Sequence, residues 1–179
     1  MSETNAALDG TRRAQQVRTA LQAERPDLAA GAPEPMPDKG LAHWHFRLPG
    51  TGWIARVPKQ SQMDLPAEAN LAYQSACFRR AASSGHTPKL LGLLRPSAHL
   101  PRGALLVEEI VGRPARLPAD LPAIMEALAA IHALPLPPAD VRKPLLDPDD
   151  PLQALLEEVD AQGTYLDAAG LAPDRKSVV

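Results

Sequence analysis

The sequence predicts an α+β fold, a small antiparallel sheet with one inserted helix followed by helices alone. Three observations carry this. Between residues 41 and 58 apolar side chains recur at every second position on either side of a Pro-Gly turn. A helical period then holds from about Asp64 to Gly85, and short apolar runs follow it. From Asp120 onward only helical spacing is left.

Taken in order, Asn5 to Glu24 reads as a polar helix, with Val17 and Leu21 at i, i+4 spacing and Pro26 ending it. Ala29 to Pro37 is a Pro/Gly/Ala connector. Trp44, Phe46 and Leu48 alternate with His43, His45 and Arg47. The turn Pro49-Gly50-Thr51-Gly52 leads into Trp53 to Val57, so the pair reads as a β-hairpin. Asp64 is the expected N-cap of the inserted helix, with Pro66 in its first turn. Its inward stripe is expected to be Leu71, Ala72, Ser75 and Phe78, and Gly85 its stop. Leu90 to Leu94 and Ala104 to Val111 read as buried strands, separated by Pro96 and Pro101. Asp120 is expected to cap a helix with Leu121, Ile124, Met125, Leu128, Ile131 and His132 on one face, ended by Leu134 to Pro138. Leu152, Leu155, Leu156 and Val159 mark a last amphipathic helix.

Composition narrows the functional classes. At 45% hydrophobic and 22% charged residues, a soluble globular protein is the default. A formal net charge of −2, without a basic block interleaved with aromatics, gives no case for nucleic acid or an anionic membrane. No apolar run approaches the ~20 residues of a membrane span, and the N-terminus lacks a signal peptide's basic start and apolar run. A cytoplasmic address is expected by elimination. The single cysteine, Cys77, excludes an intrachain disulfide and reads as a small buried residue. The histidines and Cys77 show no metal-ligand spacing.

The chemistry centres on Glu68 and Arg56. Glu68 opens the inserted helix on its apolar face, and a buried carboxylate is costly unless paired. The preceding strand offers Arg56, the one cation among Trp53, Ile54, Ala55, Val57 and Pro58. Such a strand cation, paired with a carboxylate on the next helix, can hold a basic group against nucleotide phosphates. A solvated Arg56, with a Glu68 that merely favours the helix N-terminus, fits the pattern too.

Other segments bear on that choice. Trp53-Ile54-Ala55-Arg56-Val57-Pro58, Pro66-Ala67-Glu68-Ala69, Gly85-His86-Thr87-Pro88-Lys89-Leu90, Leu106-Val107-Glu108-Glu109-Ile110-Val111-Gly112 and Ala127-Leu128-Ala129-Ala130-Ile131-His132 occur in that order. Over about Gly40 to Leu134 the sequence thereby resembles the aminoglycoside-phosphotransferase family of the kinase-like superfamily. The resemblance implies a protein-kinase-like N-lobe over 38–115, preceded by an N-terminal helix and connector (1–37). The first helices of an α-helical C-lobe would follow over 116–173. It implies adenine against the backbone of Glu108, Glu109 and Ile110, ATP phosphates at Arg56 with Glu68 holding the cation, and a phosphate-covering turn at Gly40. His43 would stand at that turn as a phosphate donor, or with His45 as the wet face of a half-exposed strand. His132 reads as a packing residue that satisfies helix-end carbonyls.

Phosphoryl transfer also needs a positioning Asp and Mg2+ ligands. In that superfamily they lie in an H-x-D-x-x-x-x-N-type loop and a later acidic motif, and neither pattern occurs in this chain. Asp147-Pro148-Asp149-Asp150 reads as the N-cap region of the next helix. Residues 174–179 read as a sequencing-adapter artefact outside the fold. The sequence thus points to the N-terminal portion of an ATP-dependent small-molecule phosphotransferase that acts on a hydroxyl-bearing substrate. Without its catalytic loop it is expected to be inactive by itself. The other reading is a non-catalytic nucleotide-binding or protein-interaction module with a kinase-like lobe.

Overall fold

The structure, a computed structural model, describes residues 3–38, 40–61, 64–138, 140, 142–145 and 149–168. It divides into two compact units, Met1–Pro137 and Pro138–Val179. The first contains α1 (Glu3–Glu24), the strands β1 (Glu34–Pro35), β2 (His43–Leu48) and β3 (Trp53–Pro58), and α2 (Ala67–Ala82). Strands β4 (Leu90–Leu94) and β5 (Ala104–Glu108) and α3 (Leu121–His132) complete it. The second holds α4 (Pro151–Ala168).

The strands form a five-stranded antiparallel sheet in the order β1-β2-β3-β5-β4. The β2–β3 hairpin turns at Gly50 and Gly52, whose φ values of 74° and 72° suit residues without a Cβ. Thr51 closes that turn by donating its hydroxyl to the Leu48 carbonyl at 2.7 Å. Strand β1 lies inside the stretch expected to be a connector, and pairs Glu34 with Arg47 and Pro35 with Phe46. Strand β5 is shorter than expected and ends at Glu108, leaving Ile110 and Val111 exposed beyond it.

Each sheet face is covered by a helix. Val17 and Leu21 of α1 join Phe46, Leu48, Ala55, Val57, Leu94 and Leu106 in one core cluster. On the opposite face Leu71 of α2 packs with Leu105 and Val107, flanked by Ile54 and Phe78. This explains why β3 alternates: Ala55 and Val57 look toward α1, and Ile54 and Arg56 toward α2. The turn before β5 is packed to its limit. Gly103 has φ +64°, and a Cβ there would stand 2.5 Å from the Leu94 carbonyl oxygen. Gly103→Ala is therefore expected to destabilise the unit by about 2–4 kcal/mol, combining left-handed strain with overpacking. A lowered urea midpoint at constant m checks this.

Two helix starts differ from expectation. Helix α2 begins at Ala67 with Pro66 as N-cap, because Asp64 sits at φ 50° in a left-handed turn that cannot start a helix. Asp120 stands at the N-cap of α3 but makes no side-chain cap; its carboxylate instead accepts from Arg113 at 2.6 and 2.9 Å and from the Arg116 N–H. No residue of α3 is buried; Leu121, Met125, Leu128 and His132 are all exposed, so His132 is not a packing residue. In the second unit Asp150 caps α4 by accepting from the N–H groups of Leu152 and Gln153, both at 3.0 Å. Its neighbours Asp147 and Pro148 lie outside the described residues, as does 169–179.

Candidate functional site

Arg56 lies near the middle of β3, opposite His45 on β2 and Leu105 on β5. Its side chain faces α2 and, with His43, Asn70, Tyr73, Gln74, Cys77 and Phe78, lines a cavity of about 240 Å³ between that helix and the sheet. The guanidinium carbon lies 5.3 Å from the centroid of the Phe78 ring, within cation–π range.

The polar contacts form a chain whose protons can be assigned. Arginine only donates, so Arg56 Nη2 donates to His43 Nδ1 at 3.2 Å. The neutral His43 ring then carries its proton on Nε2 and donates to Gln74 Oε1 at 3.0 Å. Gln74 Nε2 faces Asn70 Oδ1 at a long 3.5 Å. Both His43 nitrogens are thus engaged and the residue is buried, so of the two roles expected for it the wet strand face is ruled out. The physical reason is α2, which covers the face that alternation alone marks as polar.

Electrostatically the site is a cation without a counter-ion among the described residues. None of the described residues that line the cavity is a carboxylate. Burial alone draws the Arg56 guanidinium below its ordinary value. Arg47 and Arg113, each hydrogen-bonded to a carboxylate, are raised instead. His43 is lowered first by burial and then by the charges of Arg56, His45 and Lys59, against the opposing Gln74 hydrogen bond. His45 is lowered by burial and by Arg56.

A pH dependence follows from these directions. The stability carried by the neutral rings is fully present above the ordinary value of 6.5 and is lost as pH falls through the lowered folded values. The urea midpoint is expected to fall between pH 7 and 5, and to fall less in His43→Gln. Equal falls in both proteins would contradict the assignment.

The other expected site residues are placed elsewhere. Glu68 is exposed in the first turn of α2 and forms no ion pair with Arg56 among the described residues. Helix phase explains this. At about 100° per residue, the buried face centres between Gln74 and Phe78, and Glu68 stands about 100° from its midline. Glu108 donates its N–H to the Lys89 carbonyl at 3.0 Å, and Glu109 to Gly52 at 2.8 Å. The Glu109 carboxylate accepts from Arg47 Nε at 2.7 Å. Only from Ile110, 62% exposed, does the chain leave the sheet. Gly40 is exposed and its carbonyl is held by Lys59 Nζ, which also donates to Asp38 at 2.6 Å. Its neighbour Lys39 lies outside the described residues.

The structure therefore brings Arg56 and His43 together and separates them from Glu68. Glu108 pairs with Trp53 at the far end of β3, three residues from Arg56, or about 10 Å at ~3.3 Å per residue. Asn70, Tyr73 and Gln74 are the site residues that sequence reasoning missed. The i, i+4 spacing of Asn70 and Gln74, polar residues beside the apolar stripe, was the available signal. Cys77, expected as a buried apolar filler, is half-buried and lines the cavity.

Among the described residues no helix is long and apolar enough to cross a membrane. The chain matches no family model, no curated protein and no solved structure.

Proposed function

We propose that the first unit is a nucleotide-binding lobe, and that the chain is part of an ATP-dependent phosphotransferase acting on a small hydroxyl-bearing molecule. One observation carries the reading: Arg56, a half-buried strand cation with no carboxylate partner among the described residues, facing the helix inserted between β3 and β4. Leaving such a charge unpaired is costly unless a ligand supplies the anion, and nucleotide phosphates are one. Three further features support it. The sheet order β1-β2-β3-β5-β4, with a helix between β3 and β4, is what a kinase-like N-lobe requires. The ordered motifs of the aminoglycoside-phosphotransferase family fall on these elements. The exposed backbone at Ile110 and the loop near Gly40 lie toward opposite ends of β3, which suits a base at one end and phosphates at the other.

The Mg2+ implied by the resemblance finds no ligand set here: among the described residues no group of three or more His, Cys, Asp or Glu could hold a metal ion. Glu68, which forms no ion pair with Arg56 among the described residues, favours a second reading, a nucleotide-binding module without catalysis, because that pair is what the kinase-like pattern uses to orient the cation. ATP titration of the full chain tests what the two share. Saturable binding that is lost in Arg56→Met supports it; equal affinity in both proteins would sink it.

A further inference from the structure

Two buried donor atoms in the α2–sheet cavity have no acceptor among the described residues. Arg56 Nε and Asn70 Nδ2 are both without a hydrogen-bond partner there, and both residues line the cavity. Asn70 is only 3% exposed. The hydrogen-bond chain explains which atoms are left over. Arg56 spends Nη2 on His43, and the amide oxygen of Asn70 faces Gln74, so the Arg56 Nε–H and the Asn70 NH2 remain. A buried donor left unsatisfied costs about 1–3 kcal/mol, more when it is charged. Having two in one small cavity marks a place built to receive acceptor oxygens.

We propose that this cavity binds an oxyanion through paired donors, Arg56 on β3 and Asn70 on α2, with His43 and Gln74 holding the guanidinium in place without neutralising it. A carboxylate at the His43 or Gln74 position would orient the guanidinium and cancel its charge. The neutral amide and imidazole orient it and leave the full charge to the ligand. Asn70 then supplies the second, uncharged hydrogen bond, which makes the site selective for geometry as well as charge. Tyr73, Cys77 and Phe78 wall the remaining space, so part of a ligand larger than the oxyanion can enter. The proposal deepens the nucleotide reading and rests on it for the choice of phosphate as the oxyanion. Free phosphate and the phosphate end of ATP present the same oxygens.

The test uses the full chain and two probes, inorganic phosphate and ATP, followed by calorimetry and by the 15N-resolved Arg56 Nε–H signal. Asn70→Asp keeps the side-chain shape but replaces the donor with a carboxylate beside Arg56. It is expected to weaken both probes at least tenfold while leaving the unfolding midpoint unchanged or higher. Asn70→Ser, which keeps a shorter donor, is expected to weaken them less. In the native chain phosphate is expected to shift the Arg56 Nε–H signal. The proposal is overturned if that signal does not move, or if Asn70→Asp binds phosphate as tightly as the native chain. ATP binding that needs Arg56 but not Asn70 overturns it and leaves the nucleotide reading standing. Asn70-dependent phosphate binding, with ATP no tighter than phosphate, supports it and removes the nucleotide reading.

Discussion

Phe46→Ala is expected to destabilise the first unit by about 3–5 kcal/mol, the range for truncating a buried aromatic. Phe46 sits on β2, is 2% exposed and belongs to the cluster that joins α1 to the sheet. That cluster draws on α1, four strands and the turn residue Leu100, so the cavity would open where several elements meet. Few neighbours can relax into it: Val17, Leu21, Leu94 and Leu106 are themselves fully buried. With whole-domain stabilities of about 5–15 kcal/mol, the variant is expected to be largely unfolded near its growth temperature. Circular dichroism against urea, with the midpoint falling at unchanged m, checks this. A loss under 1 kcal/mol would mean that α1 does not close this face.

Arg56→Met is expected to act in the opposite direction on stability while removing the proposed function. An arginine kept for structure is paired, and losing it weakens the fold. Among the described residues Arg56 has no carboxylate partner and an unpartnered Nε, and burial draws its guanidinium down. Replacing an uncompensated, half-buried charge with an apolar side chain of similar length is expected to favour the folded state. The lost Phe78 contact and the freed His43 Nδ1 offset part of this gain. A higher urea midpoint together with lost nucleotide binding is the signature of a site that keeps strain for its ligand. A lower midpoint would identify Arg56 as a structural residue.

How legible the fold was depended on whether each element carries a period. The hairpin was legible because β2 and β3 alternate on both sides of a Gly-containing turn, and α1 because Val17 and Leu21 mark a stripe. Strand β1 was not, since Glu34-Pro35 is too short to show a period and exists only through its pairing with Arg47 and Phe46. The start of α2 was misplaced because Asp64 and Pro66 imitate a cap and first turn, whereas the left-handed backbone at Asp64 postpones the helix.

The site was half legible. Arg56 stood out as a cation between apolar neighbours, which any strand with one polar inward residue shows. Its partner was misassigned because an i, i+3, i+4, i+7 template accepts Glu68 at the margin of the stripe, and a template has no centre until the helix is docked. Docking turns Asn70 and Gln74 inward. The wet-face alternative for His43 and His45 rested on a related weakness: alternation distinguishes the two faces of a strand but does not say whether a helix will cover the polar one.

The central claim, that Arg56 waits for a nucleotide phosphate, is tested most directly by calorimetric titration of ATP into the full chain and into Arg56→Met, each first shown to be folded. The expected result is one saturable site in the native chain and affinity at least tenfold weaker in a variant that is no less stable. Equal affinity in the two proteins, or no binding by a folded native chain, would contradict it.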